Sequence, residues 1–580
     1  MSPVRGTADR IASVILLLIV LAVWLPRVRG PIDLRWDGAV YYILGTSLAE
    51  GKGYRLLNEP GEIQALQYPP LLPVIVALHQ WVLGTSDPIV VGRWLRLFFF
   101  LVFAAYIQAS YGLLRAYLPV RYAFVGTVVC VLNLHTYFMS DLCFPDIIFA
   151  LLTIAFLLCH RQGDGGPRSY RIQAGLCAVA AFAVRTAGIA LLAAWVTESV
   201  LNRRPRQFAV RLALVLIPTL SWLSYTRLVE LTPEYRQPSY AYQRADYVFH
   251  NVSYARNLTL RDSFRPELGY ASIADIGGRV LSNVTRIPTS LAEGVSSKKR
   301  VWEVEWNEIA TRLGLGQRSP WLIDAVLPLL GSLILVGLCL LAAQRHWMIP
   351  LVTVASLALM CLTPWPEQFT RYLVPLGPLL VLSLLVVLRT LDRHSRTILG
   401  GNGALGLAMV VATVGLILAQ ETLTLFVTYT KWHQRVTYDR QDGTKVAAYR
   451  LFFYHDPFRA LDAGLDWLRP RATPTDVVAL SMPHWAYLRT GLRSVMPPLE
   501  SDPVKAEHLI ESVPVKYLIL DEGLAVDTKQ YLVSVIQMFP DRWTRVYSDK
   551  VVTELGETHD RGFEIYEHVT PQPPAVSTGK

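Results

Sequence analysis

The stretch RWDGAVYY, residues 35–42, follows the first long apolar segment of the chain and sets an acidic residue, Asp37, among aromatic ones. The glycines Gly51 and Gly53 come about four helical turns later and are expected to end any helix that begins near Asp37. By helical spacing, the residues that would share a face with the acid are Tyr41, Leu44 and Leu48. The stretch therefore predicts a short helix with a carboxylate at its start, directly after a membrane-like segment.

Long apolar blocks recur through the chain and lower its charged fraction. Charged residues make up 17% of the 580 residues and hydrophobic ones 52%, whereas a soluble protein usually carries about 25% charged residues. The clearest blocks are residues 11–25, 95–114, 120–138, 323–343, 375–388 and 404–427. About eleven segments approach the ~20 residues that a helix needs to span a bilayer. The sequence therefore predicts a polytopic α-helical membrane protein.

The positive residues indicate an orientation. Arginine-bearing short loops at 115–121, 160–171, 202–211, 344–347 and 389–396 are predicted to be cytoplasmic, because positive loops stay inside. This pattern puts the N-terminus in the cytoplasm and the C-terminal domain outside the cell membrane, although the arginines flanking the outer end of the first span run against it. The net charge of +10 then reflects membrane orientation, and no nucleic-acid partner is expected.

The chain divides into a transmembrane part, residues 1–428, and a soluble extracytoplasmic α/β domain, residues 429–570, with a flexible tail at 571–580. Within the first part, a first outer loop at 26–92 is expected to carry interfacial helices, and a larger outer loop spans 227–320. In the C-terminal domain, alternating patterns predict helices at 459–468, 505–511 and 529–539 and strands at 476–480 and 515–520. No glycine-rich phosphate loop accompanies them.

Acidic residues near the outer membrane edge are the first candidates for chemistry. Asp37 either caps its helix, for which Asp33 competes, or accepts a proton from a bound hydroxyl. Asp141 and Asp146 stand in the short turn before another span. Asp146 follows Pro145 and suits a helix start, where the dipole favours an acid. The functional alternative is a second carboxylate facing the cavity of Asp37, which would position the acceptor, hold a metal or bind a sugar.

Arginines at membrane edges are the cationic candidates. Arg185 interrupts an apolar run, and two short helices meeting near the outer face would spare it the cost of a mid-membrane charge, about 2.5–3.5 kcal/mol. Arg371 opens a late span, where it either anchors the helix, paired with Glu367, or binds a lipid phosphate. Arg244 in the large outer loop is a weaker candidate. The motif YPP at 68–70 sets an extended turn before an apolar helix and is expected to shape the site.

Several separated motifs resemble those of GT-C glycosyltransferases of the protein O-mannosyltransferase and aminoarabinose-transferase-like group. They are DGAVYY at 37–42, LAEGKGY at 48–54, YPPLLP at 68–73 and RYLVPL at 371–376. The resemblance covers about the first 390 residues and implies a polyprenyl-phosphate-linked sugar donor used on the outer face. It matches Asp37 to the probable catalytic base, Asp146 to the second acid, with Asp141 as its rival, and Arg371 to the arginine near the lipid phosphate.

The resemblance thus implies a membrane glycosyltransferase that transfers a sugar to a lipid, glycan or protein acceptor with inversion. Independently of the resemblance, the residues expected to contact substrates are Tyr41, Tyr68, Asp141, Arg185, Arg244 and Arg371. A divalent cation is a possible cofactor, although the six cysteines show no metal-ligand spacing. A transporter or flippase of lipid-linked sugars is the alternative, but it calls for internal repeats and mid-membrane charges that the sequence lacks. A binding protein acting through its C-terminal domain ranks last.

Overall fold

The computed structural model describes residues 6–314, 321–398, 404–436, 449–521, 526–552 and 558–569. Up to residue 427 these residues form helices and connecting turns. The helices are α1 (Thr7–Trp24), α2 (Asp37–Ala49), α3 (Leu71–Leu83), α4 (Pro88–Arg115), α5 (Val120–Leu132), α6 (Leu134–Met139), α7 (Asp146–Gly163), α8 (Arg168–Val184), α9 (Ile189–Leu201), α10 (Pro205–Glu230), α11 (Pro233–Arg236), α12 (Tyr254–Thr259), α13 (Ile273–Val295), α14 (Lys299–Arg312), α15 (Trp321–Ala343), α16 (Met348–Leu362), α17 (Phe369–Leu373), α18 (Gly377–Ile398) and α19 (Ala404–Val427).

The protein is a polytopic α-helical membrane protein, as the apolar blocks predict. Within the described ranges, seven helical segments are long and apolar enough to cross a membrane: Thr7–Arg27, Pro88–Arg115, Asp146–Gly163, Pro205–Glu230, Trp321–Ala343, Pro366–Ser395 and Leu405–Trp432. Shorter apolar helices of 10–17 residues lie at Leu71–Leu83, Val120–Leu132, Thr186–Leu201 and Met348–Leu362. The run around Arg185 is two helices, α8 and α9, as predicted, because Arg185 itself is extended at φ −151°.

The loop at 26–92 that is predicted to lie outside, here called the first outer segment, contains two packed helices, α2 and α3. Helix α2 begins at Asp37 and ends before the left-handed Gly51, at φ 72°, as the glycine pattern predicts. The two helices approach closely at Gly45, where a Cβ would stand 2.6 Å from the Val76 side chain. This close contact fixes the start of α2 relative to the entry into α3.

The C-terminal part forms a mixed sheet flanked by helices. Its helices are α20 (Asp456–Leu468), α21 (Pro483–Thr490), α22 (Pro503–Glu511) and α23 (Lys529–Met538). Its strands are β3 (Val477–Ala479), β4 (Arg493–Val495), β5 (Val515–Leu520), β6 (Trp543–Val552) and β7 (Thr558–His568), and a separate hairpin of β1 (His433–Val436) and β2 (Tyr449–Phe452) precedes them. In the order β4-β3-β5-β7-β6, β3 is parallel to β4 and β5, whereas β7 is antiparallel to β5 and β6.

Direct hydrogen bonds attach this α/β part to the outer segments. The Ser494 amide donates to the Asn58 carbonyl at 2.8 Å, and the Asn58 side-chain amide donates to the Ser494 carbonyl at 3.0 Å. The buried Arg35 guanidinium donates to the carbonyls of Phe452 and Phe453, at 2.6 and 3.0 Å. The sheet is therefore held over the start of α2.

Candidate active site

A cavity of about 1310 Å³ lies beneath the α/β part. Its wall is built from the start of α2, the α8–α9 break, α14, α16, α17 and the loop before α21. It also includes residues 248–264 of the predicted larger outer loop, here called the second outer segment. One side is apolar, with residues from α9 and α16 that include Ile189, Leu359, Met360 and Leu362. A cavity with one apolar side and charged groups elsewhere suits an amphipathic ligand.

Two carboxylates and two arginines, here called the cavity cluster, meet at this cavity: Asp37, Asp146, Arg185 and Arg371. The Arg371 Nη2 lies 2.9 Å from the Asp37 carboxylate and 3.4 Å from that of Asp146. Arg185 is paired with the second oxygen of Asp146. The side chains of Asp37 and Arg371 are 23% and 21% exposed, whereas that of Asp146 is fully buried. Only part of the cluster therefore faces the cavity.

Local structure explains where each member of the cluster stands. Asp37 and Asp146 are the first residues of α2 and α7, where the helix dipole favours a negative charge. Arg185 lies in the break between α8 and α9, and Arg371 lies in the short helix α17. The N-cap position of α2 is Trp36, which provides no side-chain cap, and Asp33 pairs with Arg35 at 2.6 Å. The Asp37 carboxylate is thus available to side chains across the cavity.

The Asp37 carboxyl lies in an electrostatically favourable environment for its charged form. Burial raises its pKa, but the Arg371 guanidinium, the nearby His250 and the Tyr68 hydroxyl together outweigh burial, and the pKa lies below its usual value. Burial and the Asp37 charge raise the pKa of Tyr68 well above its usual value. Tyr68 therefore donates its hydroxyl hydrogen to an ionised Asp37.

Tyr41 and Tyr68 line the cavity together, with ring centroids 4.6 Å apart. Tyr41 lies one helical turn after Asp37, as the spacing predicts, and is 2% exposed. Tyr372, next to Arg371, has its ring 5.2 Å from the Arg185 guanidinium carbon. These rings surround the charged cluster and shield it from bulk water.

Two residues suggested by the sequence lie elsewhere. Asp141 does not line the cavity, because it is buried 3.2 Å from Arg96 and 3.9 Å from Arg27. Arg244 donates to the carbonyls of Gln64 and Asn251 and also lies outside the lining. The expected contact of Asp141 and Arg244 with a substrate stays a prediction, and it does not involve the lining of this cavity.

The suggested pairing of Arg371 with Glu367 is also replaced, because Arg371 bonds the two aspartates instead. Four histidines that were not predicted as site residues also line the cavity: His135, His250, His455 and His484. No spacing motif connects them, since they come from separate segments. Among the described residues, no group of three or more His, Cys, Asp or Glu side chains is arranged to hold a metal ion.

The fold resembles that of known membrane proteins, although no family model matches the sequence and no curated relative aligns with it. ArnT from Cupriavidus metallidurans, bound to undecaprenyl phosphate, superposes with a TM-score of 0.51 and 12% identity over 98% of this chain and 100% of that one. The Archaeoglobus fulgidus oligosaccharyltransferase, in complex with zinc and sulfate, gives 0.49 and 14% over 95% of this chain and 73% of that one.

The arabinofuranosyltransferase AftD from Mycobacteria gives a TM-score of 0.41 and 14% identity, over 97% of this chain and 40% of that one. The superposition on ArnT shows that this chain shares the fold of that protein, as the resemblance from sequence predicts. At 12% identity the likeness concerns the fold alone.

Proposed function

We propose that the protein is an integral membrane glycosyltransferase that moves a sugar from a polyprenyl-phosphate donor to an acceptor on the extracytoplasmic face. The observation that carries the proposal is the meeting of Asp37, Asp146, Arg185 and Arg371 at a cavity with one apolar side. The shared fold with ArnT, which was solved with undecaprenyl phosphate, supports this class of donor.

The proposed orientation places the N-terminus in the cytoplasm and the domain of residues 429–570 outside the cell membrane. The arginine-rich short loops support it. It would set the cavity at the outer membrane edge, between the transmembrane part at 1–428 and the α/β part. A lipid-linked donor would then reach the cluster from the bilayer and an acceptor from the outer aqueous side.

In this proposal Arg371 and Arg185 bind the lipid phosphate. A guanidinium can donate two parallel hydrogen bonds to phosphate oxygens and keeps its charge at all relevant pH values. The polyprenyl chain would extend along the apolar side of the cavity, near Leu359 and Leu362. Asp146, fully buried and paired with both arginines, would position them rather than exchange protons.

Asp37 is the proposed general base. The acceptor hydroxyl oxygen attacks the anomeric carbon, its proton passes to Asp37, and the bond from that carbon to the phosphate oxygen breaks with its electron pair on the lipid phosphate. A single displacement of this kind inverts the anomeric centre. Phosphate binding by Arg371 would weaken its hold on Asp37 and raise the pKa of the base toward a useful range. A positioned base contributes about 10²–10⁴-fold in rate.

The test is transfer from a panel of radiolabelled polyprenyl-phosphate sugars to membrane extracts, with wild type and Asp37→Asn compared. We expect label to move with wild type only, since the amide cannot accept the proton. Asp87→Asn is a matched control, because Asp87 caps α4 and asparagine caps equally well. Equal transfer by wild type and Asp37→Asn would show that Asp37 is not the base. Donor translocation without transfer, surviving in Asp37→Asn, would favour a flippase instead.

A further inference from the structure

The α/β part contributes an imidazole to the cavity, His484 in the first turn of α21. Its side chain is 6% exposed, it lines the cavity, and its Nε2 has no hydrogen-bond partner within the described ranges. A buried polar atom without a partner costs about 1–3 kcal/mol. Because His484 lines the cavity, a ligand bound there could supply the missing hydrogen-bond partner.

His484 lies against His250 of the second outer segment, with perpendicular rings and centroids 4.7 Å apart. His250 in turn lies 5.7 Å from the ring of Tyr68, whose hydroxyl bonds Asp37. The two imidazoles therefore extend the site from Asp37 toward the α/β part. Burial lowers the pKa of both histidines, most strongly for His484, so both rings are neutral at pH 7.

A chain of amides determines which His250 nitrogen carries hydrogen. The Asp246 backbone carbonyl can only accept, and it accepts from the Asn257 side-chain nitrogen at 3.0 Å. The Asn257 oxygen then accepts from the Gln67 nitrogen at 3.1 Å, which leaves the Gln67 oxygen to accept from His250 Nδ1 at 2.8 Å. The neutral ring of His250 thus carries its hydrogen on Nδ1 and a lone pair on Nε2.

A lone pair discriminates between ligands. A phosphate oxygen accepts hydrogen bonds only, so it gains nothing from the His250 Nε2. A hydroxyl can donate to that nitrogen and can also bond the free Nε2 of His484. The neighbouring Trp485 also lines the cavity and offers an aromatic surface of the kind on which apolar ring faces pack.

We propose that His250 and His484 bind a hydroxyl group of a sugar-bearing or hydroxylated substrate beside Asp37. The α/β part then supplies part of the substrate site rather than covering it passively. This inference rests on the proposed function, and the hydroxyl belongs either to the donor sugar or to the acceptor. The Asn58–Ser494 pair of hydrogen bonds holds the α/β part against the first outer segment and so fixes the position of His484.

The test uses the full chain in nanodiscs with His484→Phe, which keeps an aromatic ring against His250 and removes both nitrogens. His433→Phe is the matched control: His433 is also buried with an unpartnered Nε2, but it does not line the cavity. Loss of one neutral hydrogen bond corresponds to about 2–10-fold in affinity. We expect His484→Phe to raise one KM by this factor, with kcat retained and a melting temperature no lower than that of wild type, and His433→Phe to leave both KM values unchanged.

The two sources of the hydroxyl are separated by binding. If it belongs to the donor sugar, His484→Phe weakens binding of undecaprenyl-phosphate sugars but not of bare undecaprenyl phosphate. If it belongs to the acceptor, only the acceptor KM rises. Unchanged values for both substrates, or equal effects of His433→Phe, would overturn the inference.

Failure of the proposed function has a different signature, the absence of any transfer by wild type. In that case the imidazole ¹³Cε1 NMR signal of His484 is followed during titration with methyl mannoside, methyl glucoside and methyl arabinofuranoside. A shift with one glycoside and none with bare undecaprenyl phosphate would support the hydroxyl site. No shift with any glycoside would refute it.

Discussion

Two ion clusters are built from the same residue types, arginine and aspartate, yet only one faces the cavity. In the closed cluster, defined as Arg27, Arg96 and Asp141, every side chain is at most 2% exposed. In the cavity cluster, Asp37 and Arg371 are 23% and 21% exposed. A buried group of charged residues therefore does not by itself indicate a substrate site in this protein. The charged atoms must also be accessible from a cavity.

The closed cluster also shows what its arginines do instead. Arg96 donates to the carbonyls of Arg27 and Arg29, at 2.6 and 2.8 Å, and Arg27 donates to the carbonyl of Tyr137 at 2.8 Å. These bonds tie the segment after α1 to α4 and to α6. The closed cluster therefore connects helices. The guanidinium groups of the cavity cluster instead contact carboxylates and aromatic rings.

The largest effect is expected from Arg371→Gln. The variant loses the charge that would stabilise the departing phosphate, and such a loss costs about 100–1000-fold in kcat. Because Arg371 lowers the pKa of Asp37, its removal raises that pKa, and the acid-side inflection of kcat/KM moves to higher pH. A pH–rate profile of both forms measures this. An inflection that stays in place would mean that Asp37 is not the titrating base.

A stability effect is expected from Asp141→Asn in the closed cluster. Removing one partner from a buried ion cluster costs about 3–5 kcal/mol, because the arginines are left without a counter-charge. We expect a melting temperature several degrees below wild type, with turnover per folded molecule within about 3-fold of it. If Asp141→Asn lost turnover but melted at the wild-type temperature, Asp141 would have a role in the reaction. The two clusters would then not differ in function as proposed.

A smaller effect on stability is expected at Asp521, which is also a buried acid. Its described hydrogen bonds come from Ser481 rather than from an arginine, so it differs from the aspartates of both clusters. Burial raises its pKa to about 6, above the usual value of about 3.9. The folded state then holds its proton to higher pH than the unfolded state. This group therefore costs stability as pH rises from about 4 to 6, and the cost persists above that range.

Asp521→Asn removes this cost, so its melting temperature should exceed that of wild type at pH 7, by the equivalent of up to about 3 kcal/mol, and match it near pH 4. Thermal melts at the two pH values check this. A variant less stable than wild type at pH 7 would show that the ionised carboxylate stabilises the fold.

Much of the fold follows from local sequence patterns. The apolar blocks, the break at Arg185 and strand β5 depend on neighbouring residues and were predictable. Strands β6 and β7 were missed, because many of their side chains are charged or polar and so give no clear apolar alternation.

The composition of the candidate site is harder to predict from the sequence than the fold. Asp37 and Arg371 are separated by 334 residues and meet only through tertiary packing. Asp141 and Asp146 are five positions apart in one turn, yet one joins the closed cluster and the other the cavity cluster. No local pattern distinguishes them, because the outcome depends on which distant arginine approaches each. The assignment of roles to these residues stays a prediction.

The most direct measurement is a cryo-EM structure of the full chain with undecaprenyl phosphate. The account predicts the phosphate within hydrogen-bonding distance of Arg371 and Arg185, with the isoprenoid chain along α9 and α16 and the Arg371–Asp37 contact lengthened. A phosphate bound away from both arginines, with the cavity cluster unchanged, would contradict it.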